Sequence, residues 1–277
     1  MIQEKQKKSQ MMEGISGKSL EKTGLQFQNV HRVLDKDWTE FRHNPQLFVS
    51  TIFFPVFFSI VFSFSIVSTA SNGNIEPVDL YWSVRNLMGF LKALFLMIPM
   101  IICQRLTSDS LAGEKERKTV ETLLLLPITR QKLYLGKVAF ALIPGLIVTG
   151  ITFGLMGSIV NLCTYRPEIA NLPLLVFGDG SFWALAWVVS PLFSLLIIQL
   201  GIGISARASS VKSAQSLSML LFIPFSLFAL SAILGGDSLE NPWVLAGLCG
   251  ILVCLNVVIA SKGQIILNKE RLISSVT

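Results

Sequence analysis

Residue types that could catalyse a reaction or hold a metal are scarce in this chain. The two histidines, His31 and His43, both precede the first long apolar run. Cys103, Cys163, Cys249 and Cys254 show neither metal-ligand nor disulfide spacing, and three of the four fall inside apolar runs, where a thiol packs as a small hydrophobe. No aspartate or glutamate lies within the six long apolar runs, so a metalloprotease centre and a buried-carboxylate proton relay both lack their parts. Nor is there a G-x-x-x-x-G-K-[ST] loop to cradle the phosphates of ATP. No catalytic, cofactor-binding or metal-ligating residues are therefore assigned, and energy for any work must come from another subunit.

What remains is one charged stretch, Ser108 to Lys137, reading SDSLAGEKERKTVETLLLLPITRQKLYLGK between two strongly apolar runs. It has the marks of a folded helix over 109–126. Asp109 or Ser110 can cap its start, because a short side-chain oxygen satisfies the first free N–H groups. Glu114 and Glu116 lie towards that end, where negative charge suits the helix dipole. Glu114 and Lys118 form an i,i+4 pair in the favourable order, worth roughly 0.2–0.5 kcal/mol. Val120, Leu123 and Leu124 make an apolar stripe, and Pro127 stops the helix because it has no N–H to donate. An amphipathic helix held tightly between two membrane crossings is a lever on which a partner could push.

The elements that position it are membrane spans. Of 277 residues, 52% are hydrophobic and 14% charged, too apolar for an ordinary soluble globule. About 20 apolar residues at 1.5 Å rise cross a hydrocarbon core of roughly 30 Å. Six such runs are predicted: Gln46–Ser68, Leu87–Leu106, Leu133–Val160, Phe182–Ala206, Leu217–Leu234 and Trp243–Ala260. Lysine and arginine crowd before Gln46, in the loop between spans two and three, at Arg207 and Lys212, and in the tail, which sets both termini and the charged loop on the cytoplasmic side. The expected location is the plasma membrane. The net charge of +6 then belongs to one face of a membrane protein, with anionic lipid as counter-charge rather than nucleic acid. No cleavable signal peptide is expected.

The predicted fold is an all-α polytopic membrane protein with six transmembrane helices, an N-terminal interfacial helix and a cytoplasmic coupling helix. Residues 1–24 form a polar, disordered tail and 25–44 an amphipathic helix with Phe27, Val30, Leu34, Trp38 and Phe41 on one face. Asn44-Pro45 turns the chain into the six-helix domain, 45–261, and 262–277 is a short cytoplasmic tail. The first span is dense in phenylalanine. Lys92, just inside the second span, is expected to snorkel to the headgroups. Gly150-x-x-x-Gly154 in the third offers a small face for helix packing or dimer contact.

Glu114-Lys-Glu-Arg-Lys-Thr119-Val-Glu121-Thr-Leu-Leu124, followed by Pro127-Ile-Thr-Arg130 and Leu135-Gly136-Lys137, resembles the signature of type-2 ABC transporter permeases. That family typically reads E-x-E-R-G-T-x-E-x-L-L, a proline-containing turn with an arginine, and G-K entering the third span. The likeness extends in form over most of the chain, including Ala214–Ser218 at the start of the fifth span. Lys118 departs from it, standing where glycine is common. The resemblance implies the membrane subunit of an ATP-driven exporter that pairs with a second permease copy or homologue and docks on cytoplasmic ATP-binding subunits, which bind the nucleotide. Glu114, Glu116, Arg117, Thr119, Glu121 and Leu124 would form the ATPase-coupling interface. Transport, not catalysis, is the implied role, with a hydrophobic or amphipathic cargo suggested by the aromatic first span. The alternative is an ATP-independent carrier or scaffold, which predicts unchanged function after Glu121→Arg or Arg117→Glu.

Overall fold

The computed structural model of the chain describes residues 34–70, 77–119, 129–164, 176, 180–223 and 241–266. These are helical, and among the described residues there is no strand. Helix α1 covers residues 34–43, followed by α2 (Pro45–Ala70), α3 (Pro77–Glu116), α4 (Arg130–Thr164), α5 (Gly180–Arg207), α6 (Val211–Met219) and α7 (Pro242–Ile266). Within α2, α3, α4, α5 and α7 lie five stretches long and apolar enough to cross a membrane. They correspond to the first, second, third, fourth and sixth predicted spans. The predicted fifth span, Leu217–Leu234, begins in α6 and lies mostly outside the described residues, as do the tails at 1–24 and 262–277 except for the last turns of α7.

Asn44 and Pro45 break α1 from α2 as their types require. Proline at the first position of α2 surrenders an N–H that would have no partner there, and the Asn44 side chain accepts from Leu47 N at 3.2 Å. In α5 the helix widens into one π turn, Leu185–Val189, immediately before Ser190-Pro191. The missing proline N–H leaves a carbonyl one turn back, and widening is a common accommodation.

Helices α3 and α5 are the buried centre, whereas α2 and α7 expose most of their apolar surface. Phe53, Phe54, Phe57, Phe58 and Phe64 of α2 all face outwards, partly stacked on one another. One apolar cluster lies at the charged end, joining Phe41, Leu106, Leu133, Phe140 and Ile202. Another joins Phe95, Phe153, Phe182 and Ala186 farther along. Lys92 does not snorkel: it is 1% exposed, and its ammonium lies 5.5 Å from the centre of the Phe182 ring. A cation set over a ring face is stabilised there, and the aliphatic stem packs like a leucine. Deep in the domain, Gln199 of α5 donates to Asn256 of α7 at 3.1 Å, and Asn256 in turn donates to the Leu192 carbonyl.

The charged stretch departs from expectation. No new helix starts at Asp109 or Ser110; α3 runs unbroken through both to Glu116, because Leu106, Leu111 and Ala112 are buried and nothing in the sequence interrupts the ladder. Nor does one helix fill 109–126. Thr119 N bonds Glu114 O at 2.9 Å and Lys118 N bonds Lys115 O at 3.0 Å, the paired bonds that close a helix with a left-handed residue. Lys118 is that residue, at φ 56°. Glycine takes this conformation without a Cβ penalty, which gives a physical reason for glycine at this place in the related pattern. Lys118→Gly is expected to raise stability by about 1 kcal/mol, since left-handed backbone costs roughly that much for other residues. A denaturant midpoint in detergent reads the change, and a fall would mean that the lysine side chain supports the turn. Val120, Glu121, Leu123, Leu124 and Pro127 lie outside the described residues.

Candidate functional site

A helix turns about 100° per residue, so four consecutive side chains point in four directions. Glu114, Lys115, Glu116 and Arg117 use all four. Between them they tie the end of α3 to four neighbouring helices.

Glu114 points inwards and is 2% exposed. Its Oε1 accepts from Lys137 Nζ of α4 at 3.0 Å and from Lys36 Nζ of α1 at 2.8 Å. Lys137, 1% exposed, also pairs with Asp37 of α1 at 3.0 Å and donates to the Ser110 carbonyl at 3.1 Å. One ammonium thus joins α1, α3 and α4. With Lys36 included the four charges cancel, which is the condition for keeping such groups out of water. Burial holds the Asp37 carboxyl above the usual carboxylate range, although the neighbouring Lys137 charge works against the rise. The expected Glu114–Lys118 pair is not made, because Lys118 has turned away into the helix-closing conformation.

Lys115 crosses to the end of α5, donating to Ala206 O at 2.7 Å and Ala208 O at 3.1 Å. These are terminal carbonyls without helical donors, and a cation suits that end of the dipole. Glu116 serves the opposite end of the next helix, accepting from Val211 N at 2.8 Å at the start of α6, which Ser210 and Ser213 cap reciprocally. Arg117 reaches back to Glu40 of α1 at 2.7 Å and to Asp109 at 3.4 Å. That pair is open to solvent, with both partners near 40% exposed (41% and 39%), and contributes less than the buried one.

Beneath this turn the Ser205 hydroxyl of α5 enters the side of α3. It accepts from Ala112 N at 2.9 Å and Leu111 N at 3.2 Å, and donates to Ser108 O at 3.0 Å. One turn earlier Gly201 lets α5 approach Thr107, whose Oγ1 would lie 3.1 Å from any added Cβ. The two central helices are therefore pinned together directly below the charged turn.

Of the sequence-predicted site residues, Glu114, Glu116, Arg117 and Thr119 come together here, and Glu121 and Leu124 lie outside the described residues. Thr119 closes the turn through its backbone N–H and its hydroxyl, both directed at Glu114 O. Gly150 lies against the Trp187 ring, 3.3 Å from a would-be Cβ, whereas a Cβ at Gly154 would meet nothing. Sequence reasoning missed Asp37, Lys115 and Lys137 as fastenings. Asp37 carried a signal: it stands three residues from Leu34 and four from Phe41, on the apolar face, where a carboxylate needs a buried partner.

Comparison with known proteins agrees with this geometry. A family model described as ABC-2 family transporter protein matches residues 32–261. Over 141 residues the chain is 32% identical to the ABC transporter permease protein NatB of Bacillus subtilis (strain 168), an alignment covering 48% of this chain and 36% of that protein. The match to NatB thus spans little more than a third of that relative's length (36%). The family model takes in α1 and nearly all of the helical domain with its apolar spans, so this chain is a multi-pass membrane protein that belongs to the ABC-2 transporter family.

Proposed function

We propose that the chain is the membrane-spanning permease subunit of an ATP-driven exporter, coupled to a separate cytoplasmic ATP-binding ABC subunit through the turn that follows α3. The observation that carries this reading is the four-way tie at Glu114, Lys115, Glu116 and Arg117. A push on a loose loop would dissipate; a push here reaches α1, α3, α4, α5 and α6 together. Glu114 acts as the inner anchor, Glu116 and Arg117 as the outer charges, and Thr119, Glu121 and Leu124 extend the contact towards the ATPase. In this reading α1 lies on the cytoplasmic leaflet, both termini are cytoplasmic in the plasma membrane, and Leu217–Leu234 supplies the sixth crossing. A second permease copy or homologue completes the path, with Gly154 and the open apolar faces available to it. The exposed phenylalanines of α2 favour a hydrophobic or amphipathic cargo leaving the cytoplasm.

Co-purification tests the assignment. A tagged chain, stable in detergent, is expected to bring down an ATPase subunit, and failure to do so overturns it. Arg117 needs a sharper test, because Arg117→Glu also breaks the pair with Glu40. Arg117→Glu is expected to lower ATP-dependent transport by at least about tenfold, the effect of roughly 1.4 kcal/mol at a docking contact. Adding Glu40→Arg restores the internal pair but not the docking charge, so transport should stay low. Recovery in the double variant would confine Arg117 to an intramolecular role.

A further inference from the structure

We propose that Arg105 is the seat of a binding site for an anionic phospholipid headgroup on the flank of α3. Its neighbours along the helix end are committed: Lys115 to α5, Arg117 to Glu40 and Asp109, and Lys137 to Asp37 and Glu114. Arg105 is not. It is half-buried, its Nε is buried without a hydrogen-bond partner, and among the described residues it makes no ion pair. The nearest carboxylate along α3, Asp109 one turn on, is directed at Arg117. A guanidinium inside a span without a counter-charge is costly, and such residues typically mark an anion or ion-binding position.

The surroundings select a lipid. Gln104 donates to Gln215 O at 3.3 Å and Ser108 to Ser218 Oγ at 3.5 Å, which fixes this turn of α3 against α6. Ile101, one turn from Arg105, is 50% exposed, and Leu217 and Leu220 at the far end of α6 are 51% and 58% exposed. Exposed apolar side chains on α3 and on the helix packed against it suit a phosphate that carries acyl chains, and the planar fork matches phosphate oxygens better than an ammonium does. A free phosphate would gain nothing from the apolar flanks. A zwitterionic headgroup offers the same phosphate but adds a cation of its own, so its net attraction to the arginine is weaker.

The full-length protein, purified from micelles containing equal phosphatidylglycerol and phosphatidylcholine, provides the test by native mass spectrometry. Phosphatidylglycerol is expected to be retained over phosphatidylcholine. Arg105→Gln should lower that retention about fivefold, the weight of one basic residue at an anionic membrane surface. Lys212→Gln, which removes an exposed charge on α6, should leave it within about twofold. Equal retention by Arg105→Gln, an equal loss in Lys212→Gln, or equal binding of the two lipids overturns the proposal. So does displacement of the lipid by inorganic phosphate, which would assign the site to a free anion. Arg105→Lys keeps the charge but loses the fork, and intermediate retention is expected. Should the glutamine variant fail to fold, wild-type retention in Arg105→Lys overturns the site by itself.

Discussion

Lys137→Met is expected to destabilise the protein by roughly 3–5 kcal/mol, because it strands the buried Asp37 carboxylate and leaves the buried Glu114 with the half-exposed Lys36 alone. The size follows from burial: Lys137, Glu114 and Asp37 are 1%, 2% and 6% exposed, so water cannot take over the lost contacts. Three signatures separate this from ordinary core damage. Added salt should change the deficit little, since screening acts mainly on exposed charges, whereas the solvent-open Arg117–Glu40 pair should weaken. The deficit should shrink as the pH falls towards the carboxylate range, where Asp37, already held above its usual range by burial, sheds its charge by taking up a proton. And the combined variant Asp37→Leu, Glu114→Met, Lys137→Met should recover most of the loss, since an apolar core replaces a neutral ionic one; Lys36, 35% exposed, is then hydrated. A combined variant as unstable as Lys137→Met alone would mean that the methionine clashes and that the ionic node is not the cause.

Asp37→Asn should be the mildest single change in this group. The amide oxygen still accepts from Lys137, and the carboxyl it replaces is already held above its usual range by burial. The sign follows from linkage. A carboxyl whose folded value is raised contributes stability that is present below the ordinary carboxylate range and lost as the pH rises through the folded value. Wild type should therefore lose ground to Asp37→Asn as the pH climbs through that window, as measured by denaturant midpoints in detergent.

The order of the apolar helices was largely legible in the residues, because it follows from local causes. Span length comes from apolar runs, and the α1–α2 break comes from an asparagine oxygen and a missing proline N–H. The charged turn after α3 stood out in the residues, but its wiring did not. Glu114-Lys115-Glu116-Arg117 looks the same on paper whether the four charges face water, a partner or four neighbouring helices. The difference is made by residues far away in sequence, such as Asp37, Lys137, Ala206 and Val211. Local pair rules favoured Glu114 with Lys118, at a few tenths of a kcal/mol. A buried ammonium one helix away outweighs that preference. The same limit applied to Lys92, whose depth suggested a route to the headgroups, whereas the Phe182 ring that receives it lies ninety residues on. It applied to the glycines too. A four-residue spacing drew attention to Gly150 and Gly154, but a Cβ at Gly145, which belongs to no motif, would be crowded far more tightly than one at either of them.

Gly145→Ala is expected to destabilise the protein by about 1–3 kcal/mol, and the same change should become favourable once Cys103 is trimmed to alanine. An added Cβ at Gly145 would lie 2.5 Å from Cys103 Sγ, closer than real Cβ atoms come to anything, and 3.7 Å from the Pro99 carbonyl. The sulfur has little room to retreat: Cys103 is fully buried, and its thiol donates to the Ala141 carbonyl at 3.4 Å. Two effects of opposite sign therefore compete. Alanine is better than glycine in a helix interior by about 1 kcal/mol, and the overlap costs more. Removing the sulfur leaves the propensity gain and fills part of the space it vacates, so the sign should reverse in the Cys103→Ala background. Denaturant midpoints of the four proteins in the cycle give the coupling directly. On the proposed function, the outcome bears on force transmission as well as stability. Lys137 fastens α4 to α3 at the charged end, and Gly145 sits about two turns farther along α4 against α3. Two fastenings on one pair of helices make a rigid unit, whereas one makes a pivot. A neutral Gly145→Ala in the otherwise native protein would mean that the contact with Cys103 yields to a methyl group and is no rigid fastening.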